Sequence, residues 1–244
     1  MTVFQFLKRG AYHAEFCEDF SVVQATGEHR VVCAVMDGCT MGQESHFAST
    51  LLAKVLRKVI KERQYQQFYG ALPNELSVEE EFQQILSTVF NEMRQLRNQL
   101  LLDTAELLTT LVLVLLDTQT REAIILAVGD ATIAINGQIT RFEQDNRPDY
   151  LAYHLGRPFS EWYHQQRQVR RVAACTDLSI ATDGIDSFQT VPHEVDVPDV
   201  PAYLLLNRDL LERREMLDIK VKRLENVYSL IPTDDVAIIR VVLE

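Results

Sequence analysis

The sequence is poor in most features that would tie it to nucleic acid, to a membrane or to a cross-linked scaffold. Basic residues are outnumbered, with 24 lysines and arginines against 35 aspartates and glutamates, for a net charge of -11. Broad binding to nucleic acid or anionic lipid needs a cationic surface, so this balance excludes both as general partners. The four cysteines, Cys17, Cys33, Cys39 and Cys175, show no paired Cys-x-x-Cys spacing. That removes a zinc knuckle and a disulfide framework, and it points to reduced thiols and a cytoplasmic location. Long apolar runs are missing too: the most hydrophobic stretch, Leu107 to Leu116, spans ten residues and includes two threonines, about half of what crosses a bilayer. Met1 to Gly10 has two basic side chains but neither the apolar run nor the small-residue cleavage site of an export signal.

What is present suits a globular chain. With 244 residues, 47% apolar and 24% charged, the sequence can bury a sizeable core as one domain over 1–244. Helical spacing of apolar residues predicts a helix from about Glu44 to Arg63 and a second one opened by a Ser77/Glu80 capping box. The second carries Phe82, Ile85, Leu86, Val89, Phe90, Met93, Leu96 and Leu100 on one stripe. β-branched runs predict strands at Val31 to Met36, Thr109 to Leu116, Ala123 to Val128, Thr132 to Ile135, Leu178 to Thr182 and Val236 to Leu243. Asn136-Gly137 signals a hairpin from Thr132–Ile135 into Gln138–Arg141. Strands, a helix pair and then more strands predict an α+β fold of antiparallel sheets packed against helices. Gln144 to Ala174 reads as an irregular surface excursion and Tyr203 to Leu224 as a last helix.

Acidic residues gather where these strands begin or end: Glu18-Asp19, Asp37-Gly38, Asp130, Asp183-Gly184 and Asp234-Asp235. Oxygen donors of this kind suit hard cations such as Mg²⁺ and Mn²⁺, and a glycine after an aspartate lets the backbone carbonyl approach an ion. Asp-Gly after a strand is also a common turn. A binuclear site therefore requires that these positions converge in space.

At these residues the chain resembles the metal-dependent protein phosphatases of the 2C type, in five blocks of matching order. They are Cys17-Glu18-Asp19; Val35-Met36-Asp37-Gly38-Cys39-Thr40-Met41-Gly42; Thr109-Thr110-Leu111 with Ala127-Val128-Gly129-Asp130; Asp177 through Ile180-Ala181-Thr182-Asp183-Gly184; and Thr233-Asp234-Asp235-Val236-Ala237. The Asp-Gly-Cys-Thr form is similar to a bacterial branch of the family.

The resemblance implies a four-layer αββα sandwich, two antiparallel sheets flanked by helix pairs, and a phosphatase holding two or three Mn²⁺ or Mg²⁺ ions. Asp37 would bridge two ions, the Gly38 carbonyl and Glu18 would complete one, and Asp183 and Asp234 would hold the other. Asp130 with Asp183 would take a third, and Asp19 would orient metal-bound water. A metal-bridged hydroxide would attack phosphorus in line. The family's phosphate-binding arginine falls at Ala14 here, so the chain departs from the pattern. His13, in a Gly10-Ala11-Tyr12-His13 element like that of bacterial relatives, is the candidate replacement for phosphate binding and for protonating the leaving group, with Arg9 as the second.

Implied substrates are phosphoserine and phosphothreonine in proteins, opposite a Ser/Thr kinase. A small phosphorylated metabolite and a catalytically silent phosphopeptide-binding module are the alternatives on the same scaffold. Arg167, Arg170 and Arg171 read as a solvated face, Cys39 as a buried filler, and His46 as helix capping or packing.

Overall fold

The computed structural model describes residues 1–244 except 41, 43, 71–75, 145–147, 191–196 and 244, so Met41 of the second sequence block lies outside the described residues. Among the described residues there are twelve strands, built largely from the β-branched runs. In chain order they are β1 (Thr2–Lys8), β2 (Phe20–Ala25), β3 (Arg30–Met36), β4 (Leu111–Asp117), β5 (Ala123–Val128), β6 (Ala131–Ile135), β7 (Gln138–Phe142), β8 (Val169–Val172), β9 (Asp177–Ala181), β10 (Phe188–Thr190), β11 (Leu230–Pro232) and β12 (Val236–Val242). They form two five-stranded antiparallel sheets, ordered β2-β3-β4-β5-β8 and β1-β12-β9-β6-β7, with β10 and β11 as a small ribbon.

Side-chain alternation then fixes the layers. Val31, Cys33, Val35, Val112 and Val114 of one sheet meet Ile133, Ile180, Ala237 and Ile239 of the other in a shared core. The opposite face of the first sheet, through Val32, Ala34, Leu113 and Leu126, packs on α1 (Ser45–Phe68) and α2 (Val78–Leu100). The outer face of the second, through Phe4, Phe6, Ala181 and Ile238, packs on α4 (Val200–Leu205) and α5 (Met216–Tyr228). Sheets covered on both sides explain why every residue of β4, β5 and β12 is buried. This is the αββα sandwich, and it is α+β throughout.

Local signals act where expected. Ser77 accepts from the Glu80 amide at 3.2 Å and Glu80 accepts from the Ser77 amide at 2.9 Å, closing the capping box that starts α2. Asn136 and Gly137 have φ of 49° and 89°, the left-handed pair that a tight twisted hairpin requires.

Two expectations are corrected. The span 144–174 is no irregular excursion: it contains α3 (Phe159–Gln165) and the edge strand β8. Trp162 of α3 stacks on Phe90 of α2 at 5.2 Å, and Tyr150, Leu151 and Leu155 are buried in the same core; of this span, 145–147 lie outside the described residues. The helix expected from Tyr203 to Leu224 divides into α4 and α5, with Leu210 at φ 67° between them. The cause is tertiary. Buried Lys220 donates to the Asn207 carbonyl at 2.6 Å, and buried Arg240 donates to those of Asn207 and Leu206 at 2.8 and 3.0 Å. Those carbonyls are held by cations instead of a continuing helix.

Candidate active site

Antiparallel register brings the acids to one end of both sheets. Phe20 pairs with Met36, so Asp19 before β2 and Asp37 after β3 are neighbours. Lys8 pairs with Val236 and Ile238 with Ala181. The segment after β1, the acids before β12 and those after β9 therefore share that edge. Asp130 sits in the turn from β5 to β6.

Asp37 is fixed by its backbone. Its carbonyl accepts from the Thr110 amide and the Thr109 hydroxyl, both at 2.8 Å, and its amide donates to Thr110 Oγ1 at 3.1 Å. Gly38 donates to the Glu18 carbonyl at 3.2 Å; a β-carbon there would lie 2.0 Å from the Ser45 carbonyl oxygen, so no larger residue fits. Glu18 is held by the hydroxyls of Ser45 and Ser49, at its carboxylate and its carbonyl respectively. Asp19 is buried; Thr182 Oγ1 donates to it at 2.6 Å, and the Asp37 carboxyl is in hydrogen-bonding reach.

Electrostatics reflects that crowding. Burial, then the charges of Asp19, Asp183 and Asp234, push the Asp37 carboxyl well above its ordinary range. Asp19 is raised for the same leading reason, burial, against the opposing hydrogen bond from Thr182. Asp183 is pushed up to about 6 by burial and by the charges of Asp234 and Asp130. Asp130 and Asp183 share a cavity of about 150 Å³ with Arg141 and Asp186, which are paired at 3.1 Å. Among the described residues no three of these side chains already close on a point as a finished coordination cage. The donor set nevertheless fits divalent cations: oxygen ligands only, open to solvent on one side and mutually repulsive when ionised.

His13 faces this cluster from the loop after β1, with Nδ1 2.8 Å from Asp235 Oδ2 and Nε2 3.4 Å from Asp234 Oδ1. Burial lowers its pKa, but the Asp235 hydrogen bond and the charges of Asp235, Glu18 and Asp234 outweigh this, leaving it above the ordinary imidazole value. Asp235 also accepts from the amides of Gly10, at 2.7 Å, and Glu18. Sequence reasoning marked the Asp234-Asp235 pair but gave Asp235 no role. Ser45 and Ser49 carried no local signal at all. Arg9 instead donates through Nη1 to the carbonyls of Ala14 and Glu15, at 2.8 and 3.1 Å, bracing its own loop. Cys39 is buried and hydrogen-bonds Tyr150, while His46 stacks on Phe16 with centroids 4.2 Å apart. Arg171 pairs with Glu79, and Arg170 lies over the Phe142 ring.

A family model described as protein phosphatase 2C matches residues 9–209. No curated protein matches the chain. Among solved structures, the serine/threonine phosphatase Stp1 from Staphylococcus aureus is similar with a TM-score of 0.63 at 16% identity, over 100% of this chain and 96% of its own. RsbX in complex with magnesium gives 0.57 at 15% identity, over 98% and 92%. A bacterial serine phosphatase gives 0.60 at 15% identity, over 99% and 97%. At such identities the likeness is one of fold.

Proposed function

The chain belongs to the protein phosphatase 2C family, and from that premise we propose that it hydrolyses phosphoserine and phosphothreonine in proteins, opposite a Ser/Thr kinase. The observation that carries this reading is the convergence of Asp19, Asp37, Asp183 and Asp234 at one sheet edge, where the charges of Asp19, Asp183 and Asp234 reach Asp37 and that of Asp234 reaches Asp183. Asp37, Glu18 and the Gly38 carbonyl would hold one divalent ion, Asp37, Asp183 and Asp234 a second, and Asp130 with Asp183 a third. When bound, Mn²⁺ or Mg²⁺ supplies a water of lowered pKa and neutralises charge on the phosphoryl oxygens.

The chain's own residues do the rest. Thr109 and Thr110 set the direction of Asp37 by clamping its backbone. Asp19, held by Thr182, orients Asp37 from behind. His13 contacts Asp234 and Asp235, and its raised pKa suits it to contact phosphate and to give a proton to the departing serine or threonine oxygen. Asp235 positions that imidazole and ties the Gly10 and Glu18 backbones to it.

The test is hydrolysis of p-nitrophenyl phosphate and of a phosphothreonine peptide with Mn²⁺, with Mg²⁺ and with chelator, for the wild type and Asp37→Asn. Turnover that needs the ion and is lost in Asp37→Asn supports the reading. A wild type that binds phosphopeptide without turnover would make it a silent binding module instead.

A further inference from the structure

Beside the acids, residues 12–16 and the start of α1 enclose a second space of about 700 Å³, continuous with the candidate active site through His13 and Glu18. Its other walls are Tyr12, Phe16 and His46, with the acids Glu15 and Glu44. Tyr12 and Phe16 are 75% and 55% exposed, large aromatic faces left to water at the mouth of the site. The arrangement is braced. Phe16 and His46 stack at 24°, the amides of Ala11 and Tyr12 donate to the Pro232 and Thr233 carbonyls at 2.9 and 3.0 Å, and Arg9 pins the Ala14 and Glu15 carbonyls. Among the described residues no lysine or arginine lines the space. Among the described residues neither the Glu15 nor the Glu44 carboxylate takes part in an ion pair, and both residues are exposed.

Aromatic faces with unpaired carboxylates beside them are complementary to a planar cation: a guanidinium stacks on rings and keeps its edge donors for carboxylates. A phosphate group would instead be repelled by Glu15 and Glu44, so the space suits what flanks the phosphoryl group and not the group itself. We propose that it is a subsite for an arginine within a few residues of the phosphorylated serine or threonine, selecting basic phosphoprotein segments. This rests on the phosphatase reading above.

The experiment compares kcat/KM for phosphothreonine peptides of one length carrying arginine, alanine or glutamate one to three residues from the phosphothreonine, with p-nitrophenyl phosphate as the substrate too small to reach the subsite. The arginine peptide is expected to exceed the glutamate peptide by roughly tenfold at low salt, and by less as salt rises. In Glu15→Gln/Glu44→Gln, and separately in Phe16→Ala, that ratio is expected to fall to about threefold or less, with p-nitrophenyl phosphate turnover unchanged. Turnover of p-nitrophenyl phosphate without any preference among the peptides overturns the subsite alone, as does a preference that survives both variants. Should p-nitrophenyl phosphate not be turned over, the phosphatase reading falls. Equilibrium binding of the same peptides then decides: tighter arginine-peptide binding lost in the variants supports the subsite, and equal binding overturns it.

Discussion

His13 Nδ1 lies 2.8 Å from Asp235 Oδ2, and the same carboxyl group receives the backbone amides of Gly10 and Glu18. One aspartate thus fixes both the imidazole and the backbone that carries a proposed metal ligand. If His13 protonates the departing oxygen, its loss should depend on the leaving group. His13→Gln is expected to lower kcat on a phosphothreonine peptide about a hundredfold, while p-nitrophenyl phosphate, whose leaving group needs no proton, loses much less. Equal losses on both substrates would assign His13 to phosphate binding alone.

Metal affinity should follow pH in a direction set by Asp183. Its folded pKa of about 6 exceeds the unfolded carboxylate value of about 4. Between these values the folded state binds more protons than the unfolded one, so this group's contribution to stability falls as pH rises. A divalent cation at the site replaces that proton and reverses the penalty. The thermal shift produced by Mn²⁺ is therefore expected to be small at pH 5 and to grow through pH 7, and Asp183→Asn should flatten that rise. A shift as large at pH 5 as at pH 7 would contradict it.

Much of this was legible where residues act locally. The runs that became β3, β9 and β12 ended or began at their acids, and Ser77/Glu80 and Asn136-Gly137 marked a cap and a turn. Other features depended on distant partners. β8 reads Val-Arg-Arg-Val and gains its identity only by pairing with β5. Trp162 and Tyr150 look like loop aromatics until α2 and Cys39 are beside them. The interruption between α4 and α5 comes from Lys220 and Arg240, which bond to the Asn207 carbonyl across 13 and 33 residues. In the site, the positions of the acids could be read, whereas the bracing by Asp235, Ser45 and Ser49 exists only after folding.

Gly184 separates Asp183 from the rest of its turn, and a β-carbon at this position would lie 1.7 Å from the Asp235 carbonyl oxygen. Backbone cannot yield as a side chain does, so Gly184→Ala is expected to destabilise by about 3 kcal/mol or more and to weaken Mn²⁺ binding. Gly156→Ala meets nothing within 4 Å and should stay within about 0.5 kcal/mol of wild type. Denaturant unfolding and Mn²⁺ titration of both variants check this.

At the far end of β3, about 20 Å from Asp37 along the strand, Glu81 is 2% exposed and serves several donors at once. It accepts from Arg63 Nε and Thr26 Oγ1, each at 2.9 Å, and from Arg30, whose Nε also reaches Asp117 at 3.0 Å. Removing the shared carboxylate leaves two guanidinium groups near each other with one fewer countercharge, so Glu81→Leu is expected to cost about 3–5 kcal/mol. Replacing a buried ionic partner as well should restore part of that loss, because the penalty lies mainly in the uncompensated charge. Glu81→Leu/Arg63→Met is therefore predicted to be more stable than Glu81→Leu alone. Activity per folded molecule should remain near wild type in both variants, since among the described residues this network shares no hydrogen bond with Glu18, Asp19, Asp37, Asp183 or Asp234. A large fall in kcat without loss of stability would mean instead that the two ends of β3 are coupled.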